Sequence, residues 1–150
     1  MIVFVGEDCH MVFKGSARIG GGTKILLNNH SELVFGNDFY LSLESSIYCF
    51  ERIEFGESCT VGWNVLIMDT DWHRTFNKES GEQYTMTTPV RIGDHCWICN
   101  DVQIQKGTDI PNNTIVAAKS LCNKKYSVPE YSLLAGVPAT LKKGDIDYVR

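Results

Sequence analysis

The sequence predicts an all-β protein, a parallel β-helix, and three features of residues 92–122 indicate this fold. Apolar and mostly branched residues recur at every sixth position: Ile92, Ile98, Ile104, Ile110, Val116 and Cys122. Small side chains stand four positions after the first five of them: Cys96, Val102, Thr108, Thr114 and Ser120. Four of the five triplets in between have the composition of turns. Each repeat unit therefore forms one strand and one corner, as in parallel β-helices.

The same period organises the chain before residue 92. Three further runs keep the spacing: Phe13, Ile19 and Ile25, then Phe35, Leu41 and Ile47, then Phe55, Val61 and Ile67. The phase slips near residue 30, at the segment CFERIEF, and across residues 69–91, which predicts bulges or excursions from a regular coil. An α-helix would need a period of about 3.6 residues. A β-sandwich with chance spacing is the alternative, but consecutive matches in both registers favour the β-helix.

Length and charge narrow the class of protein. A chain of 150 residues fits a single domain, 1–150. The 14 Lys and Arg residues are scattered and outnumbered by 18 acids, so we expect no nucleic-acid partner. No apolar run approaches the ~20 residues of a membrane span, so we expect no membrane insertion. The N-terminus lacks the features of a signal peptide, which favours a cytoplasmic protein.

Six cysteines are present, and only Cys96 and Cys99 have the spacing of half a zinc site. Several fall at positions that the repeat directs into the core. We therefore expect reduced, intracellular thiols that act as small apolar residues.

The repeat stops at about Ile67 and resumes at Val90, which predicts a protruding loop over about 69–89. The segment is polar and too long for a corner, and loops of this length without regular structure are usually functional or disordered. It contains His73, whose imidazole suits general-base chemistry near neutral pH. Asp69 and Asp71 are candidates for orienting that ring, since a base is usually held by a third group. The alternative for all three is a solvated loop.

Three segments resemble motifs of a known family. They are CFERIEFGESCTVGWNVLIMDTDWH, PVRIGDHCWICN (residues 89–100) and LAGVPA (residues 134–139). They are similar to the sugar and polysaccharide O-acetyltransferase branch of the hexapeptide-repeat acyltransferases, the maltose and galactoside acetyltransferase type. The resemblance implies a left-handed β-helix whose triangular coils each contain three hexapeptides. Cys99 and Lys119 stand where the family usually has Gly, and the family's acceptor-side acid corresponds only loosely to Glu51.

The resemblance also implies an activity. It is transfer of an acetyl group from acetyl-CoA to a sugar hydroxyl, in the synthesis of capsule, O-antigen or another surface polysaccharide. His73 would be the catalytic base, with Asp69 or Asp71 beside it. No metal is required, because a thiolate leaves readily. The implied partners are a sugar or glycan acceptor and two further copies of the chain, a homotrimer with active sites between subunits.

The family's acetyl-CoA site carries over to six positions: Trp97, Asn100, Ala118, Asn123, Lys124 and Lys143. A coil of three hexapeptides stacks Asn100 under Ala118 as a track for the pantetheine. It also places Ile115 beside Trp97, both facing outward as an exposed apolar stripe that marks a groove or an interface. Lysines suit phosphates as point charges. Trimer packing is the alternative for Trp97, and solvation is the alternative for each lysine.

Two other functions stay open at this point. A structural β-helix without activity is one, since Cys99 and Lys119 depart from the family pattern. A β-helical zinc carbonic anhydrase is the other, but it needs three converging histidines, and the closely spaced pair is absent. The C-terminal tail, about 140–150, is compatible with a short helix or a strand.

Overall fold

The computed structural model describes all residues 1–150, and every regular element in it is a β-strand. The strands are β1 (Ile2–Val5), β2 (His10–Phe13), β3 (Ala17–Ile19), β4 (Lys24–Leu27), β5 (Glu32–Phe35), β6 (Phe39–Leu41), β7 (Ser46–Cys49), β8 (Arg52–Phe55), β9 (Thr60–Val61), β10 (Leu66–Met68), β11 (Val90–Ile92), β12 (Trp97–Ile98), β13 (Gln103–Ile104), β14 (Asp109–Ile110), β15 (Ile115–Val116), β16 (Leu121–Cys122), β17 (Leu133–Gly136) and β18 (Ala139–Lys143). The structure contains no helix with the length and apolar character needed to cross a membrane.

Consecutive strands lie in three different sheets, so the chain winds around a triangular prism. Sheet A stacks β1-β4-β7-β10-β13-β16, sheet B stacks β14-β11-β8-β5-β2, and sheet C stacks β18-β17-β15-β12-β9-β6-β3. All neighbouring strands pair in parallel except β17 and β18. The predicted left-handed parallel β-helix, with about six coils, is confirmed. We name the prism edges after the sheets that the chain joins there: the A–B edge, the B–C edge and the C–A edge.

The strand register shows where the phase slips fall. In sheet A, Lys24 pairs with Ile2 and with Ser46, so the first two coils are equal in length and longer than three hexapeptides. The next coil ends where Leu66 pairs with Ser46 and is slightly shorter. After the break, the coil from Gln103 to Leu121 has the length of three hexapeptides, as do the steps from Trp97 to Ile115 and from Ile115 to Leu133 in sheet C. A uniform coil of three hexapeptides is therefore wrong for the N-terminal part.

The extra residues all fall in one region of the prism. They lengthen strands of sheets A and B and enlarge the A–B edge, where the chain passes from β4 to β5, from β7 to β8 and from β10 to β11. The three slips therefore lie at one edge, and the last of them is the longest insertion.

The interior of the prism is filled by 26 buried side chains. All members of the predicted six-residue register between Ile92 and Cys122 are at most 1% exposed. The small residues four positions on are buried as well, because the corners leave little room inside. Hydroxyls among them are satisfied: Oγ1 of Thr108 donates to the carbonyl oxygens of Gln105 (2.6 Å) and Cys122 (3.0 Å). Four cysteines lie in this core as free thiols.

Corner geometry explains the turn composition of the triplets. The third residue of each triplet has a positive φ, between 49° and 72°. These residues are His95, Asp101, Gly107, Asn113 and Lys119. Gly, Asn and Asp tolerate this left-handed conformation best, so they are favoured there.

The C-terminal residues form a strand and then an extended tail, which resolves the open choice for 140–150. β18 folds back on β17, and residues 144–150 run back along the B–C edge. Ile146 N–H donates to Tyr131 O (2.9 Å), and the carboxylate of Asp147 lies 3.1 Å from His95 Nε2. Arg150 contacts Asp38, the residue before β6. The tail therefore covers part of sheet C.

Candidate active site

Residues 69–89 leave the A–B edge between β10 and β11 and fold into an ordered hairpin, here called the arm. Antiparallel bridges join Thr70 to Thr87 and Phe76 to Gln83. At the tip, the side-chain oxygen of Asn77 accepts the N–H groups of residues 79 (2.9 Å) and 80 (3.0 Å). The polar side chain of Asn77 therefore stabilises the turn at the tip of the arm.

Asp69 lies at the base of the arm and is fully buried. Its carboxylate accepts the N–H groups of Phe50 (2.7 Å), Glu51 (2.8 Å) and Arg52 (2.8 Å). Burial raises the pKa of Asp69, and the three N–H groups partly offset that rise. The Asp69 side chain thus stabilises the backbone of the preceding coil at the A–B edge.

Asp71 has a different partner. Its carboxylate contacts Nζ of Lys106, which also donates to the carbonyl oxygen of Thr85. Neither Asp69 nor Asp71 is hydrogen-bonded through its carboxylate to His73. The expected contact of a carboxylate with the His73 ring is therefore absent from the single chain, because both carboxylates bind other groups.

His73 itself is exposed near the start of the arm. Its N–H donates to Asp71 O at 2.7 Å. The preceding residue, Trp72, has a φ of 66° and packs edge-on against Tyr48 (5.2 Å between ring centroids) and Phe50 (5.0 Å). This wedge anchors the backbone at His73 to the previous coil and leaves the imidazole facing outward.

The predicted acetyl-CoA residues lie on different sides of the prism. Asn100 and Ala118 stack at the C–A edge, where Lys119 N–H donates to Asn100 O (3.2 Å) and the Ala118 methyl is exposed. Trp97 stands on the outer face of sheet C, 37% exposed, paired with Ile115 as the spacing predicts. Ile115 is only 5% exposed, so the predicted exposed stripe is wrong there. On this face Tyr148 of the tail packs beside Trp97, with 5.4 Å between ring centroids.

The remaining predicted residues are exposed lysines and an amide. Asn123 and Lys124 lie at the A–B edge two coils beyond the arm, with Lys124 Nζ 5.6 Å from the ring centroid of Tyr126. Lys143 ends β18 in sheet C. One chain therefore places His73 on the A–B edge and Asn100 with Ala118 on the C–A edge, separated by sheet A.

Sequence reasoning missed two residues of this region. Lys106 closes the neck of the arm, and Tyr148 stacks on His95 with 4.6 Å between ring centroids. A signal for Lys106 was present, since it occupies the corner one coil beyond the break. No local signal marked Tyr148, because its contacts are distant in sequence.

The known proteins to which this chain is similar include O-acetyltransferases. No protein-family model matches the chain. Galactoside O-acetyltransferase of Escherichia coli K12 is 29% identical over 110 residues, which cover 72% of this chain and 52% of that protein. A putative lipopolysaccharide biosynthesis O-acetyl transferase of the same organism is 25% identical, over 93% of this chain and 74% of that protein. The chain thus spans about half the length of the galactoside enzyme (52%).

A solved structure shares the fold. Galactoside acetyltransferase in complex with coenzyme A superposes with a TM-score of 0.64 at 20% identity. The match covers 94% of this chain and 72% of that chain. A β-helix of this kind is therefore a known architecture among acetyltransferases.

Proposed function

We propose that this chain is a hexapeptide-repeat acetyltransferase that transfers an acetyl group from acetyl-CoA to a sugar hydroxyl. The arm is the observation that supports this proposal most strongly. It leaves the β-helix where the repeat breaks, and it presents an exposed histidine on an ordered segment. The relatives named for galactoside and lipopolysaccharide substrates support a sugar or glycan acceptor. The second of these relatives also supports a role in surface-polysaccharide synthesis.

His73 has the chemistry that such a transfer needs. A sugar hydroxyl is a weak nucleophile at neutral pH, so a base must take its proton as the oxygen attacks the thioester carbonyl. Neutral imidazole, with an unperturbed pKa of ~6.5, suits this step. As the carbon–sulfur bond breaks, the imidazolium returns the proton to the departing sulfur. A positioned base of this kind contributes roughly 10²- to 10⁴-fold in rate.

We place the extended pantetheine of acetyl-CoA at the C–A edge. Asn100 and Ala118 stack there on two successive coils, and the small Ala118 side chain is exposed. Trp97 offers an apolar surface nearby, and the acetyl-CoA thioester supplies the activated acetyl group. We assign phosphate contacts to Lys124, with its neighbour Asn123 at the A–B edge, and to Lys143 at the end of β18, because all three are exposed and the lysines are charged.

The separation of these residues supports a site shared between subunits. His73 and the Asn100–Ala118 track lie on different edges of one chain, so a complete site requires the C–A edge of one copy to meet the arm of another. A cyclic homotrimer repeats this heterologous contact three times and closes the ring.

An assay with purified protein tests the proposal. Thiol release from acetyl-CoA is followed with a panel of galactosides, glucosides and acidic oligosaccharides, and coenzyme A binding is measured by calorimetry. We expect binding without acceptor and thiol release that depends on acceptor. Absence of both, across the panel, would show that the chain is not an acetyltransferase.

A further inference from the structure

We propose that Lys106 is a positioning residue that closes the neck of the arm and thereby fixes the place of His73. The catalytic consequence rests on the proposed function, whereas the effect on the arm does not. Lys106 lies outside the arm, in the A–B corner of the next coil.

The contacts of Lys106 join the two limbs of the arm. Its Nζ donates to the carboxylate of Asp71 on the outgoing limb and to the carbonyl oxygen of Thr85 on the returning limb. Asp71 is also joined to His73 through the backbone, since its carbonyl accepts the His73 N–H at 2.7 Å. One ammonium group therefore ties both limbs close to the residue that carries the imidazole.

The corner that carries Lys106 is itself fixed. Gln105 N–H donates to Cys122 O (2.8 Å), and Gly107 N–H donates to Thr88 O at the end of the arm (3.0 Å). Gly107 has a φ of 72°, and an added Cβ would lie 3.4 Å from Thr88. The corner is therefore packed against the returning limb, so the backbone that carries Lys106 is held in place.

The Lys106–Asp71 ion pair should affect the position of the arm more than the stability of the whole protein. The side chains of Lys106 and Asp71 are 27% and 41% exposed, and ion pairs this accessible contribute little to the stability of a whole protein. The contact instead restrains a segment that protrudes from the core. Its loss should loosen the arm while the β-helix stays folded.

Lys125 provides a matched control near the same edge. It also pairs with an aspartate, Asp109, at 3.7 Å, and it touches no part of the arm. A Lys125→Met variant removes the same charge as Lys106→Met without touching the neck.

Hydrogen exchange of the full-length protein tests the restraint directly. In Lys106→Met, the amides of Asp71 and Tyr84, which bond across the arm to Met86 O and Thr75 O, should exchange about tenfold faster. The thermal midpoint and the exchange of β-helix amides should match those of wild type and Lys125→Met. Asp71→Asn, which removes the charge of the same contact but keeps an acceptor oxygen and the bond to Thr85, should accelerate exchange of the same amides to a smaller extent. If one variant fails to fold, the other still tests the restraint.

Kinetics then test the consequence for His73. Misplacement of a base by about 1 Å can cost roughly 10²-fold, so kcat should fall tenfold to a hundredfold in Lys106→Met. The KM for acetyl-CoA should stay unchanged, and the double variant with Asp71→Asn should be no slower than Lys106→Met alone. Unchanged arm exchange in both variants would overturn the proposal, as would wild-type kcat in Lys106→Met. Failure of the proposed function is seen separately, as a wild-type protein without transfer.

Discussion

Asp69 shows how a single carboxylate at the break of the repeat organises the A–B edge. It is buried, accepts three backbone N–H groups of the preceding coil, and does not touch His73. Its position in the sequence, four positions before the histidine, indicated a catalytic partner. The pattern could not reveal the actual partners, because they lie a full coil away.

Replacement of Asp69 by Asn should therefore destabilise the fold. The amide presents one acceptor oxygen where the carboxylate presents two, so at least one buried N–H loses its partner, at about 1–3 kcal/mol. Chemical denaturation measures this loss. Asp71→Asn serves as control and should unfold at nearly the wild-type midpoint, because the Asp71 carboxylate is exposed. Equal midpoints for the two variants would contradict the structural role of Asp69.

Cys99, which stands where the family usually has Gly, should be slow to react with thiol reagents. Burial raises the pKa of Cys99 to about 11. At pH 8 only roughly a thousandth of this thiol is ionised, and the thiolate is the reactive form. Mass spectrometry after brief alkylation should show labelling of Cys99 that increases about tenfold per pH unit between pH 8 and 10. Rapid labelling at pH 7, without unfolding, would show that the side chain is not buried.

At the scale of elements, the arm and the β-helix are separate structural units. The coil needs Asp69, whereas the backbone hydrogen bonds of Asn77 and Tyr84 join the two limbs of the arm, and the arm meets the β-helix through Trp72 and Lys106. Asp71 N–H donates to Met86 O at 3.0 Å, so these two residues already lie opposite each other. A two-residue Asn-Gly turn can join such strands.

Replacement of residues 72–85 by Asn-Gly should therefore leave the β-helix folded and remove the activity. The far-ultraviolet circular dichroism and the cooperativity of unfolding should match wild type, whereas acceptor-dependent thiol release should disappear with His73. Collapse of the β-helix in this variant would mean that the arm is part of the folding core.

Elements also differ in how far the sequence predicts them. The interior register was predictable because only branched apolar and small side chains fit a narrow prism, and the corners because left-handed backbone favours Gly, Asn and Asp. The break in the repeat between Ile67 and Val90 predicted that a segment protrudes there. The period indicated only the size of each slip, so it could not show that all three share the A–B edge. Likewise, the sequence places Lys106 one coil beyond the break but does not reveal its contacts with the arm, and the low exposure of Ile115 does not follow from the spacing.

At the scale of the whole molecule, the proposed site requires more than one chain. His73 and the Asn100–Ala118 track lie on different edges, and sheet A separates them. Sedimentation should therefore show a trimer, and a stable monomer with full activity would contradict the shared site.

Mixed oligomers test the shared site more sharply. His73→Ala and Ala118→Trp should each be inactive alone, the second because indole blocks the track. Co-expressed, they should regain about a quarter of the wild-type sites, those that combine an intact arm with an intact track from its neighbour. No recovery in verified mixed trimers would place both parts of the site in one chain.

The central claim, that His73 is the base of an acetyl transfer to a sugar hydroxyl, is tested most directly by one comparison. Thiol release from acetyl-CoA is measured for wild type and His73→Ala at saturating acceptor, with coenzyme A affinity determined for both. The account predicts that kcat falls by roughly 10²- to 10⁴-fold while coenzyme A affinity is unchanged. Full turnover by His73→Ala would contradict it.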